Sequence, residues 1–223
     1  MDWSPILISM RTAGLSIVFT FFMGILAAWM VVRISHPLVK TILDGIFTIP
    51  LVLPPTVAGF FLLYVFGVKR PVGQFFLEYF SVKIAFSWGA TVLAAVVMSF
   101  PLMYRSARGA FEQVDDTLVQ AARTLGMGEW TIFRKVLLAN AVPGVVSGGV
   151  LAFARGLGEF GATAMIAGNI AGKTRTLPMA VYSEAAAGNM EAACSYVAII
   201  VMIAFLSVFL MNGVMWYSQK KSR

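Results

Sequence analysis

Charge is what this sequence has least of. Only 12% of its 223 residues are Asp, Glu, Lys or Arg, against roughly 25% in a soluble domain. One cysteine, Cys194, and one histidine, His36, exclude a disulfide framework and leave too few ligands for a His/Cys metal site, so no metal is expected. Cys194 reads as a small apolar residue near the start of a helix. His36 reads as a loop residue before Pro37 and is given no chemistry. The net charge of +7 lacks a basic stripe interleaved with aromatics, so nucleic acid is not an expected partner. What is present is apolar: 59% of the residues are hydrophobic and the mean hydropathy is +0.84. These are the proportions of an integral membrane protein surrounded by lipid.

A spanning helix needs about 20 consecutive apolar residues. Five segments free of Lys, Arg, Asp and Glu meet or approach that length: 12–32, 45–68, 84–104, 136–154 and 192–219. The uncharged run 160–172 is too short to cross and reads as a re-entrant or interfacial piece, allowed at membrane depth only under a protein or water cover. The first segment is too long for a signal peptide, and Asp2 precedes it instead of a basic cluster. Basic residues set the direction of insertion. With the N-terminus outside, Arg33, Lys40, Arg105, Arg108, Arg123, Arg134, Lys135, Lys220, Lys221 and Arg223 are cytoplasmic, 10 of the 17 Lys and Arg residues. The expected topology is therefore N-terminus out and C-terminus in, with five spans and the 105–135 loop in the cytoplasm.

That loop contains a helix of soluble type. Asp115 or Asp116 can cap its start and suits the positive end of its dipole. Leu118, Ala121, Ala122 and Leu125 recur at i, i+3, i+4 and i+7 on one narrow apolar face. Gly126 stands where a left-handed turn ends a helix. A second amphipathic piece follows, with Trp130, Ile132, Phe133, Val136 and Leu137 among Glu129, Arg134 and Lys135. Two readings stay open on these residues: a linker lying on the membrane surface, or a docking element whose small Ala121–Ala122 pair admits a partner's groove.

The spans carry no Lys, Arg, Asp or Glu, and intramembrane charges mark proton relays and voltage sensors. Neither activity is expected, and an intramembrane enzyme would need a nucleophile and base or metal ligands that the spans lack. At the membrane edge Arg155 and Glu159 stand at i and i+4 and can pair, read as a structural ion pair ahead of an anion contact. Pro50, Pro54 and Pro55 should kink the second span, turning freed carbonyls and Thr56 toward the bundle or a cavity. Gly144, Ser147, Gly148, Gly149 and Gly156 allow close helix packing; lining a passage is their secondary reading. The stretch "AGNIAGKT" at 167–174 mimics a phosphate-binding loop, but Ala167 stands where that pattern requires glycine and no strand precedes it.

The stretch "QAARTLGMGEWTIFRKVLLA" resembles the EAA loop of ABC importer permeases, whose pattern is E-A-A, three residues, G, nine residues, I-x-L-P. Gln120, Ala121, Ala122, Gly126, Val136 and Leu138 occupy those positions; Gln replaces Glu, Val replaces Ile, and Ala139 stands in place of Pro. "IPLVLPPTVAGFFLL", "MSFPLMYRSARGAFEQVD" and "LAFARGLGEFGATAMIAGNIAGKTRTLPMAVY" are similar to the molybdate and sulfate branch of that family. The resemblance implies an all-α type I importer permease with about five transmembrane helices. It is expected to be one permease domain over 1–223, with a core of about 12–217 and a coupling loop of about 105–138. The implied setting is the inner membrane of a bacterial cell.

The implied cargo is molybdate, with sulfate, thiosulfate or tungstate as the alternative; a self-contained anion channel is the rival from another class. The implied partners are a second copy of the chain, an extracytoplasmic molybdate-binding protein and a cytosolic ATPase, which holds the ATP and Mg; no cofactor or catalysis is expected in this chain. Asp115, Asp116, Gln120, Ala121, Ala122, Arg123, Leu125 and Gly126 become the expected ATPase-coupling residues. Pro54, Pro55, Thr56, Ser147, Arg155 and Glu159 become the expected pathway residues. A divalent anion entering a negative interior works against about 5 kcal/mol per 100 mV. Energy and tight binding would both have to come from other chains.

Overall fold

Helix is the only regular structure in the computed structural model, which describes residues 2–221, with side chains through Leu210. Arg223 and the side chains of Lys220 and Lys221, part of the expected cytoplasmic basic set, lie outside the described residues. The elements are α1 (Ser4–Val32), α2 (Pro37–Val52), α3 (Pro55–Phe66), α4 (Pro71–Phe80), α5 (Trp88–Glu112), α6 (Asp116–Thr124) and α7 (Glu129–Ile132). A π-helical turn (Phe133–Leu137), α8 (Leu138–Leu157), α9 (Gly161–Ile166), α10 (Leu177–Ala186) and α11 (Met190–Lys221) follow. Five of the nine prolines stand in the first turn of a helix: Pro5, Pro37, Pro55, Pro71 and Pro178. There the missing N–H costs nothing and the fixed φ is already helical. Ser87 caps α5 by accepting from the Ala90 N–H.

Helices α1, α5 and α8 form the centre. Their contacts are made by small residues: a Cβ on Gly24 would stand 2.6 Å from Met103, one on Gly144 2.6 Å from Ala110, and one on Gly148 2.5 Å from Ser106. Thr12 and Thr91 share a 2.9 Å hydrogen bond and Thr20 and Ser99 a 3.0 Å one, both between α1 and α5. Lipid offers no hydrophobic drive for helix association, so close van der Waals contact and such interhelical bonds hold the centre together. At one end the packing becomes larger: Val31, Met103, Tyr104, Phe111, Phe133 and Leu137 are buried together.

Among the described residues four helices are long and apolar enough to cross a membrane: Ser4–Val32, Trp88–Glu112, Glu129–Leu157 and Met190–Leu210. The second expected span, 45–68, is not a kinked rod but two limbs, α2 and α3, bent by 110°. Leu53 is extended (ψ 140°), as a residue before proline must be, and α3 restarts at Pro55. Pro50 stays inside α2. The expected boundaries of the third and fourth segments also need correction. Helix α5 carries Arg105 and Arg108 before it ends, and the rod Glu129–Leu157 includes Arg134, Lys135 and Arg155. Charges thus sit on the end turns of the spanning helices.

The run 160–172 folds as α9 and a turn, with Ala162 and Ile166 buried against Ala58, Ala90, Ala94 and Met98 of α3 and α5. That is the protein cover a re-entrant piece requires. Helix α10 packs on α11 through Leu177, Ala180 and Tyr196. Cys194 lies near the start of α11, exposed, and His36 directly precedes α2.

Candidate functional site

Asp115 is the cap of α6. Its carboxylate accepts the Thr117 N–H at 2.8 Å, and this bond holds its pKa below the ordinary 3.8. Asp116 adds a second negative charge in the first turn. At the other end Gly126 adopts φ +74°, and the Gly126 and Met127 N–H groups return to the carbonyls of Arg123 and Ala122. The local signals in the sequence therefore correspond to a real start and stop.

The expected apolar stripe divides. Ala122 is 5% exposed and, with half-buried Val119, faces the bundle; Leu118 at 47%, Leu125 at 80% and exposed Ala121 face away. Gln120 is exposed too. Helix α6 thus leaves Leu118, and Leu125 at its C-terminal cap, in the open.

Helix α6 is tethered rather than loose. Arg123 Nε donates to Glu129 Oε1 at 2.9 Å, and Glu129 Oε2 meets Arg33 at the end of α1 at 3.1 Å. Arg33 lies over the Trp29 ring at 4.8 Å, and Trp29, Trp130 and Phe133 stack with centroids 4.7–5.9 Å apart.

A second polar network, not anticipated from the sequence, joins α2 to α5. Tyr104 Oη donates to Asp44 Oδ1 at 2.9 Å, Arg108 pairs with Asp44 and Glu112, and Lys40 meets Glu112 at 3.0 Å. One signal was available: Asp44 is the sole acid between Asp2 and Glu78, and an acid bordering an apolar run needs a partner. Both networks bring the 33–44 segment and the 105–135 segment to one end of the bundle. Arg11, Trp88 and Lys173 line a cleft elsewhere.

The expected pathway residues fall into two groups. Pro54, Pro55 and Thr56 are exposed at the α2–α3 break. Against that break lies the second one, between α8 and α9: a Cβ on Gly161 would come 2.8 Å from Pro55 Cβ, and one on Gly59 2.6 Å from Ala162 Cα. Glu159, 2% exposed, caps α9 by accepting the Ala162 N–H at 2.8 Å. Its other oxygen lies 2.5 Å from Arg155 Nη1, an ion pair outside ordinary hydrogen-bond geometry. Ser147 is not part of this group; it lines a separate cavity between α5, α6 and α8. The 167–174 stretch spends Thr174 internally, where its hydroxyl accepts the Ile170 N–H at 3.0 Å. No cluster of three His, Cys, Asp or Glu that could hold a metal occurs among the described residues.

Comparison with known proteins agrees with this geometry. The profile of the family described as binding-protein-dependent transport system inner membrane component matches residues 20–223. The molybdenum transport system permease protein ModB of Escherichia coli K12 is 41% identical over 222 residues, 99% of this chain and 96% of that one. The sulfate transport system permease protein CysT of Salmonella typhimurium is 33% identical over 92% of this chain and 73% of its own length. Among solved structures, a bacterial ABC transporter involved in the import of the acidic polysaccharide alginate matches 96% of this chain and 78% of its own at a TM-score of 0.77 and 14% identity. The fold is that of a type I ABC importer permease, and the chain belongs to the binding-protein-dependent transport system inner membrane components.

Proposed function

We propose that this chain is the membrane passage of an ATP-driven importer that moves molybdate inward, working as a homodimer. A cytosolic ATPase subunit carries the ATP and Mg, and an extracytoplasmic protein delivers the anion. The N-terminus lies outside and α6 in the cytoplasm, where it docks on the ATPase through Leu118, Ala121 and Leu125. The observation that carries this reading is α6 itself: capped at Asp115, stopped at Gly126, apolar on its outer face and pinned to α1 through Glu129. A helix merely lying on a membrane needs no such tether.

Dimerisation is supported by what one copy leaves open. Helix α2 has no buried residue, and Ile42, Ile46, Val52, Phe60, Phe61 and Tyr64 on the α2–α3 arm are exposed. A second copy would cover that arm and enclose Pro54, Pro55 and Thr56 between the two chains. Molybdate is favoured over sulfate by the 41% against 33% identity to the two permeases named above.

The test is uptake by the reconstituted three-component complex. Molybdate should accumulate with ATP, and equimolar sulfate should leave uptake nearly unchanged; displacement by sulfate would overturn the cargo. Gly126→Val forces a β-branched residue into the left-handed region, at a cost of at least about 1–2 kcal/mol. It should reduce ATPase co-purification and uptake while membrane insertion persists. Undiminished docking and uptake in Gly126→Val would remove α6 from the mechanism.

A further inference from the structure

A cavity beside the coupling helix is not accounted for by docking. It has a volume of about 570 Å³ and opens between α5, α6 and α8. Its polar lining is Arg105, Ser106 and Gln113 from the end of α5, Asn140 and Ser147 from α8, and Asp115 at the start of α6. The floor is rigid: Gly144 and Gly148 hold α8 so close to Ala110 and Ser106 that no Cβ fits between them. The space therefore does not come from loose packing.

Arg105 distinguishes this cavity. At the same end of the bundle, Arg33 and Arg123 are neutralised by Glu129, and Lys40 and Arg108 by Glu112 and Asp44. Among the described residues Arg105 has no acid within ion-pair distance, and neither do Arg134 and Lys135. Those two flank a cleft of only about 150 Å³ with Trp130. Arg105, which acts on Asp44 from beyond ion-pair distance, is thus a guanidinium without a direct ion pair at the wall of a roomy polar cavity, with hydroxyls and an amide beside it. A planar fork of N–H donors with nearby hydroxyls is chemistry for a tetrahedral oxyanion.

The Asn140 amide spends one N–H on the Val136 carbonyl at 2.7 Å, which leaves its second N–H and its oxygen for the cavity. The Asp115 carboxylate stands at the mouth, bound to the Thr117 N–H. One cation against one rim carboxylate makes a weak site that fills and empties, as release requires.

We propose that this cavity is an inner oxyanion site, the last station of the passage, in which Arg105 holds the departing divalent anion beside the coupling helix. The proposal rests on the permease reading above. Since Asp115 both caps α6 and lines the cavity, docking and occupancy share a residue.

The experiment uses the detergent-purified permease–ATPase complex and its reconstituted form with the binding protein. Retention of radiolabelled tungstate by the complex without binding protein is measured for the parent, Arg105→Gln and Arg105→Lys, alongside ATP-driven molybdate uptake. Arg105→Gln should lower retention and uptake by roughly tenfold or more, the loss expected for a charge-assisted bond. Arg105→Lys should recover part of both, and ATPase co-purification should be equal in all three. Equal tungstate retention in the parent and Arg105→Gln overturns the site. Loss of ATPase co-purification in Arg105→Gln also overturns it, and reassigns Arg105 to an acidic side chain of the ATPase. A parent complex that accumulates no molybdate rejects the permease reading and this site with it; a transporting parent with an indifferent Arg105→Gln rejects the site alone.

Discussion

Gly59→Ala adds one methyl group where α3 crosses α9. The new Cβ would stand 2.6 Å from Ala162 Cα, 2.8 Å from Ala162 O and 2.9 Å from Met165 Cβ. Carbon atoms rest at roughly 3.5–4.0 Å, so the two limbs must part by about 1 Å, and two of the three obstacles are backbone that no rotamer change can move. Overpacking of this kind costs about 1–3 kcal/mol. Ala162 also donates the 2.8 Å bond to Glu159 that caps α9, so displacing it lengthens a bond to a buried carboxylate. For a chain of this length 1 kcal/mol corresponds to about 2–4 °C in Tm. The purified permease carrying Gly59→Ala should therefore melt some 3–10 °C below the parent. Gly14→Ala is the control: the same methyl group meets nothing within 4 Å there. In mid-helix it should stabilise by roughly 0.5–1 kcal/mol. Thermal unfolding followed by tryptophan fluorescence reads both. Shifts of the same sign in the two variants would refute the claim that α3 and α9 are locked backbone to backbone.

Three further outcomes are expected. A double-mutant cycle on Thr20→Val and Ser99→Ala, read by thermal melting, should give a coupling of about 0.6 kcal/mol, the usual value for interhelical hydrogen bonds in membranes; zero coupling would place the stability of α1 on α5 in packing alone. Ser9→Ala removes the acceptor of the buried Leu177 N–H, held at 2.7 Å, and should cost about 1–3 kcal/mol for the orphaned donor, read as a fall in Tm. Glu129→Gln breaks the pairs to Arg33 and Arg123, whose exposed side chains water screens, so that each pair adds little to stability. Its melting point should stay close to the parent's while ATP-driven uptake falls; undiminished uptake would remove Glu129 from the coupling path.

Features set by neighbours in the chain were legible before the fold was known. Asp115, Asp116 and Gly126 delimit α6 because capping and left-handed turns are local events within a few residues. Pro54 and Pro55 marked a weak point in the second span, but a missing donor does not fix an angle. The 110° bend follows from Gly161 and Gly59 letting α9 into the corner, a contact between segments about 100 residues apart in sequence. The i, i+4 spacing of Arg155 and Glu159 announced a pair, whereas the capping of α9 by Glu159 depends on a turn at Gly158 that carries no distinctive signal. Helices α4 and α10, ten residues each, are too short to register against a search for spans. The divided stripe of α6 shows the same limit. Periodicity placed Leu118, Ala121, Ala122 and Leu125 on one face, and the bundle, docked at Val119 and Ala122, decided which part of that face remained open.

How a push on α6 could reach the membrane interior follows from where the rigid pieces end. Glu129 joins α6 to α1 and is also the first residue of a rod that continues through the π-helical turn and α8 to Leu157. A 29-residue helix spans about 43 Å, longer than the roughly 30 Å hydrocarbon core of a bilayer, and its two points of weakness are the π-helical turn and Pro143 within α8. Its far end is not free. Two residues beyond Leu157, Glu159 caps α9, and Gly161 rests on Pro55 at the α2–α3 break. The opposite limb, α2, is held to α5 through Asp44, Tyr104 and Arg108. A shift of the rod along its axis thus acts on the corner where both broken helices meet, while α2 stays anchored. With no fully buried residue of its own, α2 resists through that polar anchor together with the packing of Leu43 and Phe47 on α5. Under the coupling proposed above, force would enter at an exposed helix and be delivered at a proline corner, and the charges that connect the two points stand on the ends of the apolar rods, so that an apolar interior need not accommodate them.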